Sequence, residues 1–216
     1  MTRAVVFDLD GVLIETEELW DDVRSSLVRE RGGRYDGEAQ RAMMGMSSPE
    51  WSRYMHAELG VSGSPEEISA EVVRRMAARY QEGLPLVPGA VEAVERLAGR
   101  WPLGLASSSN RQLIDAALDL GGLARLFRVS VSSEEVSRGK PAPDVYLEAA
   151  RRLGVEPCGC TAVEDSHSGI RSAKAAGMTV VAIPNRTYPP EAEALAAADV
   201  VLESIEQLSV AAILRK

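Results

Sequence analysis

The stretch Val5-Val6-Phe7-Asp8-Leu9-Asp10-Gly11-Val12-Leu13 constrains this chain more than any other. Its first three residues are β-branched or aromatic and read as a buried strand near the N-terminus. Two carboxylates follow, at positions 8 and 10. Strand residues alternate between faces, but at a strand end both side chains can turn into one crevice. Gly11 lets the chain leave the sheet sharply. In open α/β sheets the ligand crevice lies beyond the carboxyl ends of the strands. An acid pair before a glycine also suits an ordinary polar turn. Two neighbouring carboxylates at a sheet end repel, and a divalent cation or a shared proton would relieve that.

After this strand the pattern turns helical. Leu19, Val23 and Leu27 recur at four-residue spacing, and Gly32-Gly33 ends that helix. A second short helix is expected near Gly37. Met44-Gly45-Met46-Ser47-Ser48-Pro49 is a break, in which Ser48 can cap the next helix with Pro49 at its first position. Trp51, Met55 and Leu59 carry that helix to Gly60. Ser64-Pro65-Glu66-Glu67 has the form of a capping box, and Ile68, Val72, Met76 and Tyr80 mark a long apolar stripe after it. Residues 16–83 therefore predict a small helical bundle, with residues 1–15 and 84–216 as the body into which it is inserted. Leu84 to Gly89 is the linker back.

Helix and strand patterns then alternate. Helices are expected around Val91, Val94 and Leu97, around Leu113 to Leu118, around Val145 to Leu153, and from Ile170 to a stop at Gly177. Strands are expected at Pro102 to Ala106, Phe127 to Val131, Cys160 to Val163, Thr179 to Ile183 and Asp199 to Leu202. Ser204-Ile205-Glu206-Gln207 should cap a terminal helix. Repeated β-α-β units predict an α/β fold: a doubly wound, Rossmann-like parallel sheet with an inserted α-helical cap domain.

The 216 residues are enough for a sizeable core, and a net charge of -8 argues against a nucleic-acid partner. No run is long enough to span a membrane, and no targeting segment precedes the first strand, so a cytoplasmic monomer is expected. Cys158 and Cys160 stand without a second cysteine pair and with only two histidines in the chain, which argues against zinc.

Three later strand ends carry polar groups. Ser107 follows Gly104-Leu105-Ala106, where a hydroxyl and backbone N–H groups at a helix start suit a phosphate. Ser108, Ser109 or Asn110 there could equally cap the helix. Lys140 sits in Gly139-Lys140-Pro141-Ala142-Pro143, stiffened on its flank by two prolines. Glu164-Asp165 ends a strand with oxygen ligands suited to a hard cation, and His167 lies close behind.

Acid pair, serine, lysine and acid pair, in this order, resemble the four motifs of the haloacid dehalogenase superfamily. The resemblance spans the whole chain, and the insert resembles the cap of the subgroup that holds β-phosphoglucomutase and many sugar-phosphate phosphatases. It implies a Mg²⁺-dependent phosphatase for a small phosphorylated metabolite. Asp8 would be the nucleophile that forms an aspartyl-phosphate, and Asp10 the acid and base. Mg²⁺ would be held by Asp8, the Asp10 carbonyl and Asp165, with Glu164 a ligand or just behind, so that four carboxylates converge. Ser107, Ser108, Asn110 and Lys140 would surround the phosphate, with Gly45 and Ser48 of the cap against substrate. The rivals are a sugar-phosphate mutase, a dehalogenase and a non-enzymatic phospho-ligand binding protein. Hydrolytic dehalogenases of the superfamily lack an acid at the position of Asp10. β-Phosphoglucomutases carry a histidine where this chain has Trp20 and an arginine where it has Ser48. Hydrolysis to inorganic phosphate is therefore expected, unless a cation elsewhere in the cap replaces that arginine.

Overall fold

The computed structural model describes residues 2–44, 46–185, 187 and 189–214. Six parallel strands form one sheet: β1 (Ala4–Phe7), β2 (Leu103–Ser107), β3 (Phe127–Ser132), β4 (Cys160–Glu164), β5 (Thr179–Ala182) and β6 (Val200–Val201). Their order is β3-β2-β1-β4-β5-β6, so β1 lies inside the sheet between β2 and β4. Every residue of β1, β2 and β4 is buried, as expected for strands covered on both faces. The chain runs to one side from β1 and later returns to the other at β4, which makes the gap beyond β1 the switch point where such folds bind ligands. Phe7 pairs in register with Leu105 and Val163, so the carboxyl ends of all three strands open into that gap.

Between β1 and β2 lie α1 (Glu17–Glu30), α2 (Gly37–Met43), α3 (Ser48–Ala57), α4 (Pro65–Glu82) and α5 (Ala90–Ala98). The first four form the predicted helical insert, and no strand occurs in it among the described residues. Its core is built mainly from the predicted stripes: Val23, Leu27, Trp51, Met55, Ile68, Val72, Met76 and Tyr80 are all buried, and Trp20, outside the stripe predicted for α1, is buried with them. Each such side chain contributes roughly 1.5–3 kcal/mol when taken out of water. The insert meets the body at a short ladder, in which Glu15 N–H donates to the Pro85 carbonyl at 2.8 Å and Val87 N–H to that of Leu13 at 3.0 Å.

The remaining helices are α6 (Arg111–Leu120), α7 (Asp144–Leu153), α8 (His167–Ala175), α9 (Ala192–Ala197) and α10 (Val210–Leu214). One sheet face, with Val5 and Phe7, packs on α5 and α6; the other, with Ala4 and Val6, packs on α7 and α8. Two expectations need correction. Ser47, not Ser48, caps α3: its N–H and hydroxyl both donate to Glu50, at 2.7 and 2.5 Å. Ser204 precedes only a single 3₁₀ turn, Ile205–Gln207, and the terminal helix starts separately at Val210. Helix α9 was not expected, because Ala192–Ala197 has almost no apolar period to read.

Candidate active site

Asp8 is the residue after β1 and Glu164 the last of β4, and Lys140 reaches between them from the loop before α7. The Lys140 ammonium donates to Asp8 Oδ1 at 2.7 Å and to Glu164 Oε1 at 2.6 Å. All three residues are buried, at 6% exposure or less. Glu164 Oε1 also accepts from the Tyr146 hydroxyl at 2.7 Å. Glu164 Oε2 accepts from the N–H groups of Asp165 and Ser166 and from the Ser166 hydroxyl. Burial works against the Lys140 ammonium, but the charges of Asp8 and Glu164 outweigh it and hold the group above its usual range.

Asp165 is buried beside this pair, and its Oδ1 has no hydrogen-bond partner. Burial, then the carboxylates of Glu164 and Asp8, push it well above the usual carboxylate range. Burial likewise raises Asp8 to about 8, against the opposing pull of Lys140. Asp8, Glu164 and Asp165 each bring an oxygen within 4.8 Å of the others. One lysine does not neutralise three carboxylates, so the cluster can accept a cation. Two glycines make room for it. Gly11, at φ +83°, would drive a Cβ into the Asp165 carboxylate, and Gly169 would drive one into that of Glu164.

Asp10 belongs to a different network. Its Oδ1 accepts from the Thr16 hydroxyl at 2.5 Å and from Trp20 Nε1 at 3.3 Å. Its Oδ2 accepts from the Ser109 hydroxyl at 2.7 Å and, more weakly, from that of Ser107 at 3.5 Å. The expected convergence of four carboxylates is thus a cluster of three, with the Asp10 side chain held between the insert, at Thr16 and Trp20, and the body, at Ser109 and Ser107. Ser107 is fully buried and its Oγ accepts from Ser109 N–H at 3.0 Å, while Ser108 and Ser109 border the cavity.

A cavity of about 490 Å³ opens over Asp8, Asp10, Lys140 and Asp165 and is roofed by the insert through Trp20, Arg24 and Trp51. That is a volume suited to a small metabolite. Two expected substrate contacts lie elsewhere. The Ser48 hydroxyl donates to Asn110 Oδ1 at 2.6 Å, and Asn110 donates to Glu134 at 2.6 Å. Both residues border a separate surface groove between insert and body, where they join the two parts. Gly45 lies outside the described residues.

Residues 2–177 match the haloacid dehalogenase-like hydrolase family. The chain belongs to that family. Among its relatives, hexitol phosphatase B of Escherichia coli (strain K12) is 35% identical over 218 residues, covering 95% of this chain and 94% of that protein. A bifunctional riboflavin kinase/FMN phosphatase of Arabidopsis thaliana is 31% identical over 207 residues, 95% of this chain; the chain spans 54% of that longer protein. Among solved structures, a mutant of CbbY from Rhodobacter sphaeroides in complex with xylulose-(1,5)bisphosphate superimposes with a TM-score of 0.85 at 27% identity, with 99% of both chains covered. As a haloacid dehalogenase-like hydrolase, the chain is an α/β enzyme with a helical cap inserted after β1. No helix among the described residues is long and apolar enough to cross a membrane.

Three contributors to the hydrolase site went unread in the sequence. Tyr146 sits in the apolar stripe of α7, and only its hydroxyl hints at a buried partner. Ser109 read as one of several interchangeable caps. Arg24 is a charge on the buried face of α1, one turn after Trp20, and that placement is the signal that could have found it.

Proposed function

We propose that this enzyme is a Mg²⁺-dependent phosphatase of small phosphorylated metabolites, sugar phosphates foremost, working through a phosphorylated Asp8. The observation that carries the reading is the buried Asp8–Lys140–Glu164 arrangement at the floor of a capped cavity. The hexitol phosphatase among the relatives supports the substrate class. Asp8 and Asp165, with the backbone carbonyl of Asp10, would hold the metal; the unpartnered Asp165 Oδ1 fits that role. Glu164 already accepts on both oxygens and stands behind them, holding Lys140 in place. When bound, the ion supplies positive charge against the crowded carboxylates and the phosphoryl oxygens.

The residues divide the work. Lys140 fixes the Asp8 carboxylate and balances charge around the phosphoryl group. Asp8 Oδ2 attacks phosphorus. Asp10 gives its proton to the departing alkoxide and then takes one from the water that attacks the phosphorylated Asp8. Thr16, Trp20 and Ser109 hold Asp10 in place for both steps. Ser108 and Ser109 line the phosphate end, with the buried Ser107 behind them. Residues 16–83 act as a cap moving against 1–15 and 84–216, closing over substrate to exclude water. Trp20 Nε1 can only donate a hydrogen bond, so it cannot relay the proton a mutase histidine would carry. Ser48 is turned to Asn110 and away from the cavity. The missing relay at Trp20 favours hydrolysis over isomerisation whether or not another cap cation stands in for the arginine.

The test is a screen of phosphorylated metabolites, comparing kcat/KM and inorganic phosphate released, β-glucose 1-phosphate included. Hydrolysis should stop on chelation with EDTA and return with Mg²⁺. Full activity after rigorous chelation, or isomerisation faster than phosphate release, would sink the reading. A second readout uses stability. Asp8 and Asp165 titrate higher in the folded protein than unfolded, so the folded state binds more protons. Metal-free protein should therefore lose stability as pH rises from the ordinary carboxylate value of 3.8 through about 8. Mg²⁺ binds the deprotonated acids, so the rise in Tm on adding it should grow between about pH 5 and pH 8. A Mg²⁺ effect on Tm that shrinks over that range would contradict the assignment.

A further inference from the structure

Arg24 has no part in the chemistry above, yet it is one of few charged side chains buried in the cap. It is 9% exposed, and its guanidinium carbon lies 4.4 Å from the Trp20 ring centroid and 5.0 Å from that of Trp51. Its Nε is buried with no hydrogen-bond partner among the described residues. Burial pulls the group down only to about 10, and nearby Tyr35, Glu17, Asp10 and Asp21 act to keep it charged, so it is cationic at neutral pH. Arg24 borders the cavity that holds Asp8, and Arg41 of α2 borders the same cavity from an exposed position.

A guanidinium presents donors only in its plane, and aromatic rings engage its faces. Here the two indoles approach the guanidinium from directions roughly at right angles, their own centroids 6.1 Å apart, and neither supplies a hydrogen-bond acceptor, so the donors of Arg24 are left for a ligand in the cavity it borders. A buried cation without a hydrogen-bonded partner is costly unless something supplies one. The group that best matches a planar fork of donors is an oxyanion held by two parallel hydrogen bonds.

We propose that Arg24, assisted by Arg41, is a specificity-determining anion subsite. The substrate would then be a phosphate monoester that carries a second oxyanion, a carboxylate or another phosphate, at the end remote from Asp8. This inference rests on the phosphatase reading of the same cavity and adds the chemical class of its substrate.

The experiment compares substrates that differ only at the remote end. 3-Phosphoglycerate is set against glycerol 3-phosphate, and fructose 1,6-bisphosphate against fructose 1-phosphate, with p-nitrophenyl phosphate as a reference ester. In at least one pair the charged member should have kcat/KM higher by about tenfold or more; which pair responds separates carboxylate from phosphate. Arg24→Met should collapse that preference, mainly through KM, and Arg24→Lys should restore part of it. Should Arg24→Met unsettle the cap, the exposed Arg41→Ala should lower the same preference by a smaller factor. The same pairs are titrated into Asp8→Asn protein with Mg²⁺, following tryptophan fluorescence, so that binding is read without turnover. Equal kcat/KM within both pairs, or a preference that survives Arg24→Met, would overturn the subsite. If no ester is hydrolysed, the phosphatase reading fails, and the fluorescence titration decides the subsite alone: tighter binding of a charged member supports it, and equal affinities overturn it.

Discussion

Asp8→Asn should lower kcat by roughly 10⁴-fold or more, the scale on which enzymes respond to loss of a nucleophile. An amide keeps the size and the Lys140 contact but presents a poor nucleophile. The fold should survive, because the substitution removes one charge from a crowded cluster of Asp8, Glu164 and Asp165 and leaves Glu164 to pair with Lys140. Circular dichroism and Tm should stay at or above wild-type values in EDTA. Hydrolysis of p-nitrophenyl phosphate near the wild-type rate would remove Asp8 from its role.

Lys140→Met should be the most damaging change to stability. The side chain is 3% exposed and its ammonium is the hydrogen-bonded cation of two buried carboxylates. Removing one partner of a buried ion pair costs about 3–5 kcal/mol, because the charge left behind has no solvent. In a chain of this size that lowers Tm by roughly 6–20 °C. The stranded carboxylates of Asp8 and Glu164 would take up protons to relieve the burial, so the deficit should narrow toward acid pH. Activity should fall as well, by roughly 10²–10³-fold, the range seen when one preorganised charge-stabilising donor is lost. A wild-type Tm for Lys140→Met in EDTA would show that the buried pair does not hold this site together.

Strand ends were legible in the sequence because a buried parallel strand is a short apolar run, and the first polar residue after it marks where the sheet stops. Asp8, Ser107 and Glu164 follow such runs, and sheet register brings them together. The helical insert was legible from the apolar stripes of α1, α3 and α4. What was not legible is partnership. Ser47 and Ser48 are adjacent and chemically alike, and only the backbone decides that the first caps α3 while the second bonds to Asn110. Asp10 and Asp8 lie two residues apart and their side chains looked like members of one cluster, but the Asp10 carboxylate instead accepts from Thr16, Trp20 and Ser109. Tyr146 and Arg24 sit on apolar helix faces, where periodicity alone treats every residue as packing.

If Asp8 carries the phosphoryl group, it can be trapped there. Asp10→Asn protein with Mg²⁺ is mixed with ³²P-labelled p-nitrophenyl phosphate and quenched in acid. Nitrophenolate departs without a proton from Asp10, whereas release of the phosphoryl group needs Asp10 as base, so the labelled protein should accumulate. An acid-stable, alkali-labile label is expected on the peptide that contains Asp8. A label on another peptide, or wild-type turnover with no protein-bound phosphate in either protein, would contradict it.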